Sequence, residues 1–357
     1  MNNRGWESGE KMTESVKKEP RGRKILLDLL TVVEAIGAVC VMVLAQILAF
    51  NGFAFFGLLL GFDPSVFVEK FDGSSTFFYT LITIPVMYFY IKIIRSRNEP
   101  KFMNQKLNSI SWVFVVVIAF GLMGLVSVYF VVADQIAQQF TKVADAIEDY
   151  SESVDRFAQI TPEKIPAFDH ILNFIGVCFL VPIAEELTFR AGVLQTLLKR
   201  FHPVVSVIMS ALMFGVLHVQ PIHIGYALMA GFFLGWVYFY TRSIRSTILM
   251  HMIFNLFGSG LTTFFASGLF GDITGFTNEF NLYSFRLEFA LMIPSIICFF
   301  FLRAMYKNSV RINTSAKPAE AQGALSDTDP VEDFVPDENA PSPFAPISAN
   351  DGEKIDE

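Results

Sequence analysis

The sequence predicts an all-α fold: a multi-pass transmembrane helical bundle of about eight spans. Three observations predict it. Apolar residues make up 53% of the 357-residue chain and charged residues only 17%, too little charge for the surface of a soluble domain this long. Charge-free runs recur at or above the length of a bilayer span. Basic residues gather in alternate loops, as the positive-inside rule requires of a fixed membrane orientation. Helices are the expected spanning element, because hydrocarbon offers backbone groups no hydrogen-bond partner.

Taken in order, the charge-free runs are 35–62, 73–91 with Pro85 inside it, and 107–133. A fourth runs from about 168 to 184 and continues into Glu185. The run 201–241 is too long for one span, and Pro221 and Gly225 are expected to divide it into a fifth and a sixth. The seventh is 246–271. The eighth, 287–302, is weaker because Glu288 lies near its start. Loop charge supports this count. The N-terminus (Arg4 to Lys24), the second loop (Lys92, Arg95, Arg97, Lys101, Lys106), the fourth (Lys199, Arg200), the sixth (Arg242, Arg245) and the C-terminal flank (Arg303, Lys307, Arg311) are basic. The first, third and seventh loops carry acids such as Asp63, Glu69, Asp145, Glu148 and Asp272. Both termini are therefore expected in the cytoplasm of a protein of the cell membrane.

Four regions follow. Residues 1–24 form a basic cytoplasmic N-terminus, 25–164 the first three spans with their loops, 165–305 the membrane core that holds the polar site, and 306–357 an acidic cytoplasmic tail. The tail is rich in Pro, Ala, Ser, Asp and Glu and cannot bury enough apolar surface to order itself. The third loop, 134–166, reads as an amphipathic helix along the outer surface. The polar first 24 residues lack a signal-peptide pattern, so the first span is expected to be its own insertion signal. Cys40, Cys178 and Cys298 have neither metal nor disulfide spacing and read as small buried hydrophobes. The net charge of -7 is segregated, and nothing in it points to nucleic acid.

Chemistry is concentrated in the second half. Ionisable groups in spans cost roughly 2.5–3.5 kcal/mol each on insertion scales, so they usually have a function. Here they are Glu185, Glu186 and Arg190 on the fourth span, His218 near the end of the fifth, and His251 with Asn255 on the seventh. Glu186 and Arg190, four apart, share a helix face and can pair. Glu185 lies about 100° round and is free to face another helix. His251 and Asn255 also share a face. A carboxylate in an apolar pocket can act as general base to water, and a neutral imidazole can position that water. A His and an Asn together can donate to an oxyanion. Alternatively, Glu185, His218 and His251 form a possible Zn²⁺ set, since His₂Glu is a catalytic ligand set. The sequence leaves both open. Structural roles compete at each position: a simple ion pair for Glu186–Arg190, bundle histidines for His218 and His251, interhelical contact for Asn255. His223 is expected to have no catalytic role, and His170 and His202 read as boundary residues.

Three motifs, Glu185-Glu186-Leu187-Thr188-Phe189-Arg190, Phe214-Gly215-Val216-Leu217-His218 and His251-Met252-Ile253-Phe254-Asn255, resemble the EExxxR, FxxxH and HxxxN signatures of the CAAX protease and bacteriocin-processing family. These are intramembrane peptidases that include the type II CAAX prenyl endopeptidases. The resemblance covers about residues 165–260. It implies an endopeptidase acting on a membrane-associated peptide or protein in the lipid bilayer, with Glu185 as general base and His218, His251 and Asn255 around the water and the oxyanion. The family is often classed as metallopeptidases, so a Zn²⁺ cofactor is a possible part of that expectation. A non-catalytic scaffold or immunity protein on the same fold is the alternative, because fold does not fix function. A proton-relay transporter fits less well, because no inverted repeat relates the two halves. There is no HExxH zinc motif, no His after Ser259 for a dyad, and no Tyr-Asp partner for Gly271-Asp272.

Charge bias places His251 near the cytoplasmic face and His218 toward the outer end of its span. Either a helix near Gly215, Pro221 or Gly225 is broken, or the 190–203 hairpin projects from the membrane. The site is expected to open toward the cytoplasm or inner leaflet. Cysteine labelling in intact cells checks the orientation: the 134–166 loop should label from outside and Ser326 should not. External labelling at Ser326 would refute the eight-span arrangement.

Overall fold

The computed structural model describes residues 21–95, 103–159 and 166–315. The expectations for 1–20 and for the tail beyond 315 lie outside the described residues. The described residues form α1 (Arg21–Leu59), α2 (Pro64–Lys70), α3 (Asp72–Ile94), α4 (Ser109–Ala137), α5 (Thr141–Gln159), α6 (Ala167–Leu197), α7 (Pro203–Val216), α8 (Pro221–Thr241), α9 (Ile244–Ala266) and α10 (Thr274–Ser315). No strand occurs among them, only one isolated bridge between Asn104 and Ser243. The protein is an all-α, multi-pass membrane bundle.

Seven of these helices are long and apolar enough to cross a membrane. The eighth apolar segment, α7, has only 14 residues. At about 1.5 Å per residue it spans roughly 21 Å, short of a hydrocarbon core of about 30 Å. Pro221 does open α8, as its first residue, where the missing N–H costs nothing. Gly225, expected to help break the run, instead lies inside α8, where the Tyr129 ring closes over it. α10 starts well before the weak eighth run and continues through Pro294. It tolerates Glu288 because Ser127 and Ser284 both donate hydroxyl hydrogen bonds to that carboxylate at 3.1 Å. Beside it a Cβ on Gly124 would lie 2.8 Å from the Glu288 carbonyl oxygen, so only glycine lets α4 and α10 approach this closely. α5 is the amphipathic helix expected in the third loop. Of the cysteines, Cys178 is buried, but Cys40 is exposed on α1, against expectation.

Contacts sort the loops into two ends. At one end Arg200 pairs with Asp28 at 2.9 Å, Lys199 lies 3.7 Å from Glu34, and Arg95 donates to the Ala191 carbonyl at 2.6 Å. There too Gln105 N–H bonds the Arg242 carbonyl at 2.9 Å. The basic loops thus meet one another, as alternating helices require. At the other end Tyr150 of α5 meets Tyr226 of α8, and Asp169 of α6 meets the start of α3.

Asp169 is buried and caps α3 from another helix. It accepts the Gly73 N–H at 2.9 Å, the Ser74 N–H at 2.7 Å and the Ser74 hydroxyl. Helix N-termini leave several N–H groups without partners, and a carboxylate there also suits the helix dipole. Asp169→Ala should lower the unfolding free energy by about 0.5–2 kcal/mol, as loss of a cap does, with Asp169→Asn losing less. SDS titration of the purified protein measures this. An unmoved midpoint in Asp169→Ala would show that the cap carries no stability.

Candidate active site

The site is built where two helices depart from regular α geometry. In α6, π turns at Gly176–Leu180 and Leu187–Leu194 flank the α turn Val181–Glu186. In α9, a π turn at Leu256–Gly260 directly follows Asn255. Such turns are rare and recur at functional sites. The first has a local cause. The Val181 N–H bonds the Gly176 carbonyl, five residues back. In that register the donor for the Val177 carbonyl would be residue 182, but Pro182 has no N–H. A carbonyl at membrane depth must find another partner, and Asn255 Nδ2 donates to it at 2.9 Å. Pro182 thereby couples α6 to the motif on α9.

Four of the candidate residues form one cluster. Glu186 and Arg190 are both 0% exposed, with Arg190 Nε 3.0 Å from Glu186 Oε2. That contact is an ion pair without hydrogen-bond alignment. The guanidinium also lies 5.1 Å from the centre of the Phe214 ring, which adds cation–π attraction. His251 Nδ1 donates to Glu186 Oε1 at 2.9 Å. This leaves His251 Nε2 facing Glu185, whose Oε2 is 3.6 Å away. Glu185 differs from its neighbour in being 18% exposed at the side chain. One carboxylate of the pair is thus fully engaged, and the other is accessible.

His218 joins the cluster through Phe214. It follows the last turn of α7, and its Nδ1 donates to the Phe214 carbonyl at 2.9 Å. The Phe214 ring lies edge-on to both histidines, 4.9 Å from His218 and 6.0 Å from His251 between centres. α7 ends at Val216, and the backbone turns beyond it through Val219 at φ 61°. The run 201–241 is broken between Val216 and Pro221, at one of the two places where a break or a projecting hairpin is expected. Both imidazoles have Nδ1 tied to the protein, so in the neutral tautomer each presents Nε2 as an acceptor.

Two histidines without an expected catalytic role also lie close by. The His223 ring is 4.1 Å from that of His218 and stacks on Tyr226 at 4.6 Å. His170 lines, with His223, Tyr226 and Tyr150, a cavity of about 340 Å³. The spacing of His223 and Tyr226, three apart at the start of α8, was the available signal for a shared face. The cavity lies toward the α5 end of the bundle, away from the basic loops. His202 is a boundary residue as expected, capping α7 by accepting the Val204 N–H at 3.3 Å.

A zinc ion held by Glu185, His218 and His251 would need both imidazole nitrogens about 2.0–2.1 Å from one point. Among the described residues, no group of three or more His, Cys, Asp or Glu side chains is placed to hold a metal ion. The arrangement as it stands offers an accessible carboxylate beside an imidazole acceptor, with a second imidazole packed on the same Phe214 ring.

Fold and cluster together define a helical membrane protein with a buried Glu/Arg/His centre. Residues 167–257 match the family model described as Rce1-like, type II CAAX prenyl endopeptidase Rce1-like. That match supports membership of the CAAX protease and bacteriocin-processing family, and with it an intramembrane protease. Comparisons with curated proteins and with solved structures found no match.

The two adjacent carboxylates should behave differently on substitution. Glu186→Ala leaves Arg190 buried without its counter-charge and should destabilise the protein by about 3–5 kcal/mol. Glu185→Ala removes a partly exposed group and should leave the SDS unfolding midpoint near that of the wild type. Equal destabilisation by the two would contradict this division of roles.

Proposed function

We propose that the protein is an intramembrane endopeptidase that hydrolyses a peptide bond of a membrane-associated protein or peptide, with Glu185 as general base. One observation carries the reading: His251 is fixed through Nδ1 by Glu186, so that its Nε2 faces the accessible Glu185. This is the base–orienter geometry expected of a hydrolytic site. A water that donates one hydrogen to Glu185 and the other to the Nε2 acceptor of His251 or His218 loses the first to Glu185 as its oxygen attacks the scissile carbonyl. Asn255 gives one amide hydrogen to Val177, and its second N–H serves the oxyanion. Glu185 then returns the proton to the leaving amine. Glu186 and Arg190 position His251 and do not touch substrate. The protein is assigned to the cell membrane with both termini in the cytoplasm.

Reconstituted wild type should cleave membrane-associated peptides. Glu185→Ala should lose about 10²–10⁴-fold in rate, the usual contribution of a general base, while inserting normally. Glu185→Gln should retain bound substrate for identification by mass spectrometry. Equal cleavage by wild type and Glu185→Ala would remove Glu185 from the chemistry. Full cellular function in both Glu185→Ala and His251→Ala would instead support a scaffold.

The same reading needs no Lewis acid, so activity should survive a zinc chelator. Stoichiometric zinc in the purified protein, lost together with activity in His218→Ala, would overturn the metal-free form of the mechanism.

A further inference from the structure

The cavity beside the cluster has a lining of unusual chemistry for a membrane interior. Fourteen residues from α5, α6, α8, α9 and the turns before α8 and after α9 form it, and none is Asp, Glu, Lys or Arg. Neutral hydrogen-bonding side chains, among them His170, Asn173, Ser259 and Thr263, alternate with aromatic walls such as Phe174. His170 lines the cavity, and its Nε2 is buried without a hydrogen-bond partner among the described residues. Buried polar groups without partners are costly. At about 340 Å³ the space lies at the small end of ligand sites, which run from roughly 300 to 1,000 Å³.

The cavity adjoins the chemistry at two points. His223, on its wall, packs against His218. Val177, also on its wall, holds Asn255. Tyr150 of α5 also lines it, its hydroxyl 3.2 Å from that of Tyr226.

We infer that this cavity receives a short, extended, uncharged peptide segment of the substrate, on the side of the scissile bond that faces α5. The inference rests on the peptidase reading. Scattered neutral donors and acceptors match the backbone amides of an extended chain, and the aromatic walls match small apolar side chains. A charged side chain would be desolvated with no counter-charge. An acyl chain would leave His170, Asn173, Ser259 and Thr263 without partners. His170, Asn173 and Thr263 are therefore specificity-determining residues, and α5 supplies one wall of the subsite.

The test uses the full-length protein in lipid nanodiscs and a capped photoreactive peptide of Ala, Leu, Gly and Ser. Labelled residues are mapped by mass spectrometry, and parallel arms use a Lys- or Asp-containing peptide and a photoreactive fatty acid. The uncharged peptide should label α6, α9 or Tyr150 in wild type and in Glu185→Gln alike. Labelling should fall about tenfold, equivalent to about 1.4 kcal/mol, when Thr263→Trp fills the space, and should be weaker for the charged peptides. If Thr263→Trp lowers the SDS unfolding midpoint, Ser259→Phe on the same wall replaces it. Peptide label elsewhere, or fatty-acid label in the cavity that displaces the peptide, would overturn the inference. Cavity labelling without cleavage by wild type would sink the peptidase reading and leave the peptide site standing. Cleavage with label outside the cavity would do the reverse.

Discussion

The fully buried Glu186 carboxylate is the constraint from which the rest of the site follows. A charge at this depth persists only if its neighbours compensate for lost hydration. Arg190 supplies the opposite charge at 3.0 Å, and His251 Nδ1 supplies a hydrogen bond at 2.9 Å. Each partner is then fixed in turn. Arg190 lies against the face of Phe214, and Phe214 packs edge-on to both His218 and His251. A network this connected gains from mutual polarisation in a low dielectric, and is correspondingly costly to break. The compensation of one charge therefore aligns three helices and sets the direction of an imidazole nitrogen. Glu185, one residue earlier, takes no part in that compensation and remains accessible.

Backbone irregularity has a similar logic. Pro182 deprives the first π turn of a donor, and the released Val177 carbonyl becomes the anchor for Asn255. The short α7 ends just before His218, which is part-buried and packs against the cluster through Phe214. Neither feature is tolerable against lipid, but both are tolerable where the exposed backbone lines protein or a cavity. The departures from regular helix thus occur at the residues that carry the polar cluster, while α3 and α10 run through their own prolines without a break.

Much of this was legible in the sequence. Charge-free runs and alternating loop charge identified the bundle and its eight apolar segments, because bilayer thickness and backbone satisfaction leave few alternatives. The motif spacing placed Glu186 with Arg190 on one face, and cost arguments singled out the same ionisable residues that the structure gathers. Other features depended on tertiary contacts. The partition between Glu185 and Glu186 follows from which of them meets α9, and adjacent positions on one helix do not reveal that. The packing of His218 against the cluster follows from where α7 stops, and the polar residues His218, Gln220 and His223 around Pro221 mark a break in the run 201–241 without showing which side chains it brings together. The cavity residues Tyr150, His170 and His223 come from three separate elements with no shared pattern. In the sequence Asn255 reads first as an oxyanion donor, with an interhelical bond as the alternative, and only the Val177 carbonyl shows that one of its hydrogens is already committed.

The central claim is that Glu186 holds the His251 ring by Nδ1 and so turns Nε2 toward Glu185. Solid-state ¹⁵N NMR of histidine-labelled protein in bilayers reads this directly, with His251 assigned by difference against His251→Asn. The account predicts a protonated Nδ1 and a bare Nε2 for the neutral ring, with that preference lost in Glu186→Gln. A neutral His251 protonated at Nε2 in the wild type, or a tautomer unaffected by Glu186→Gln, would contradict it.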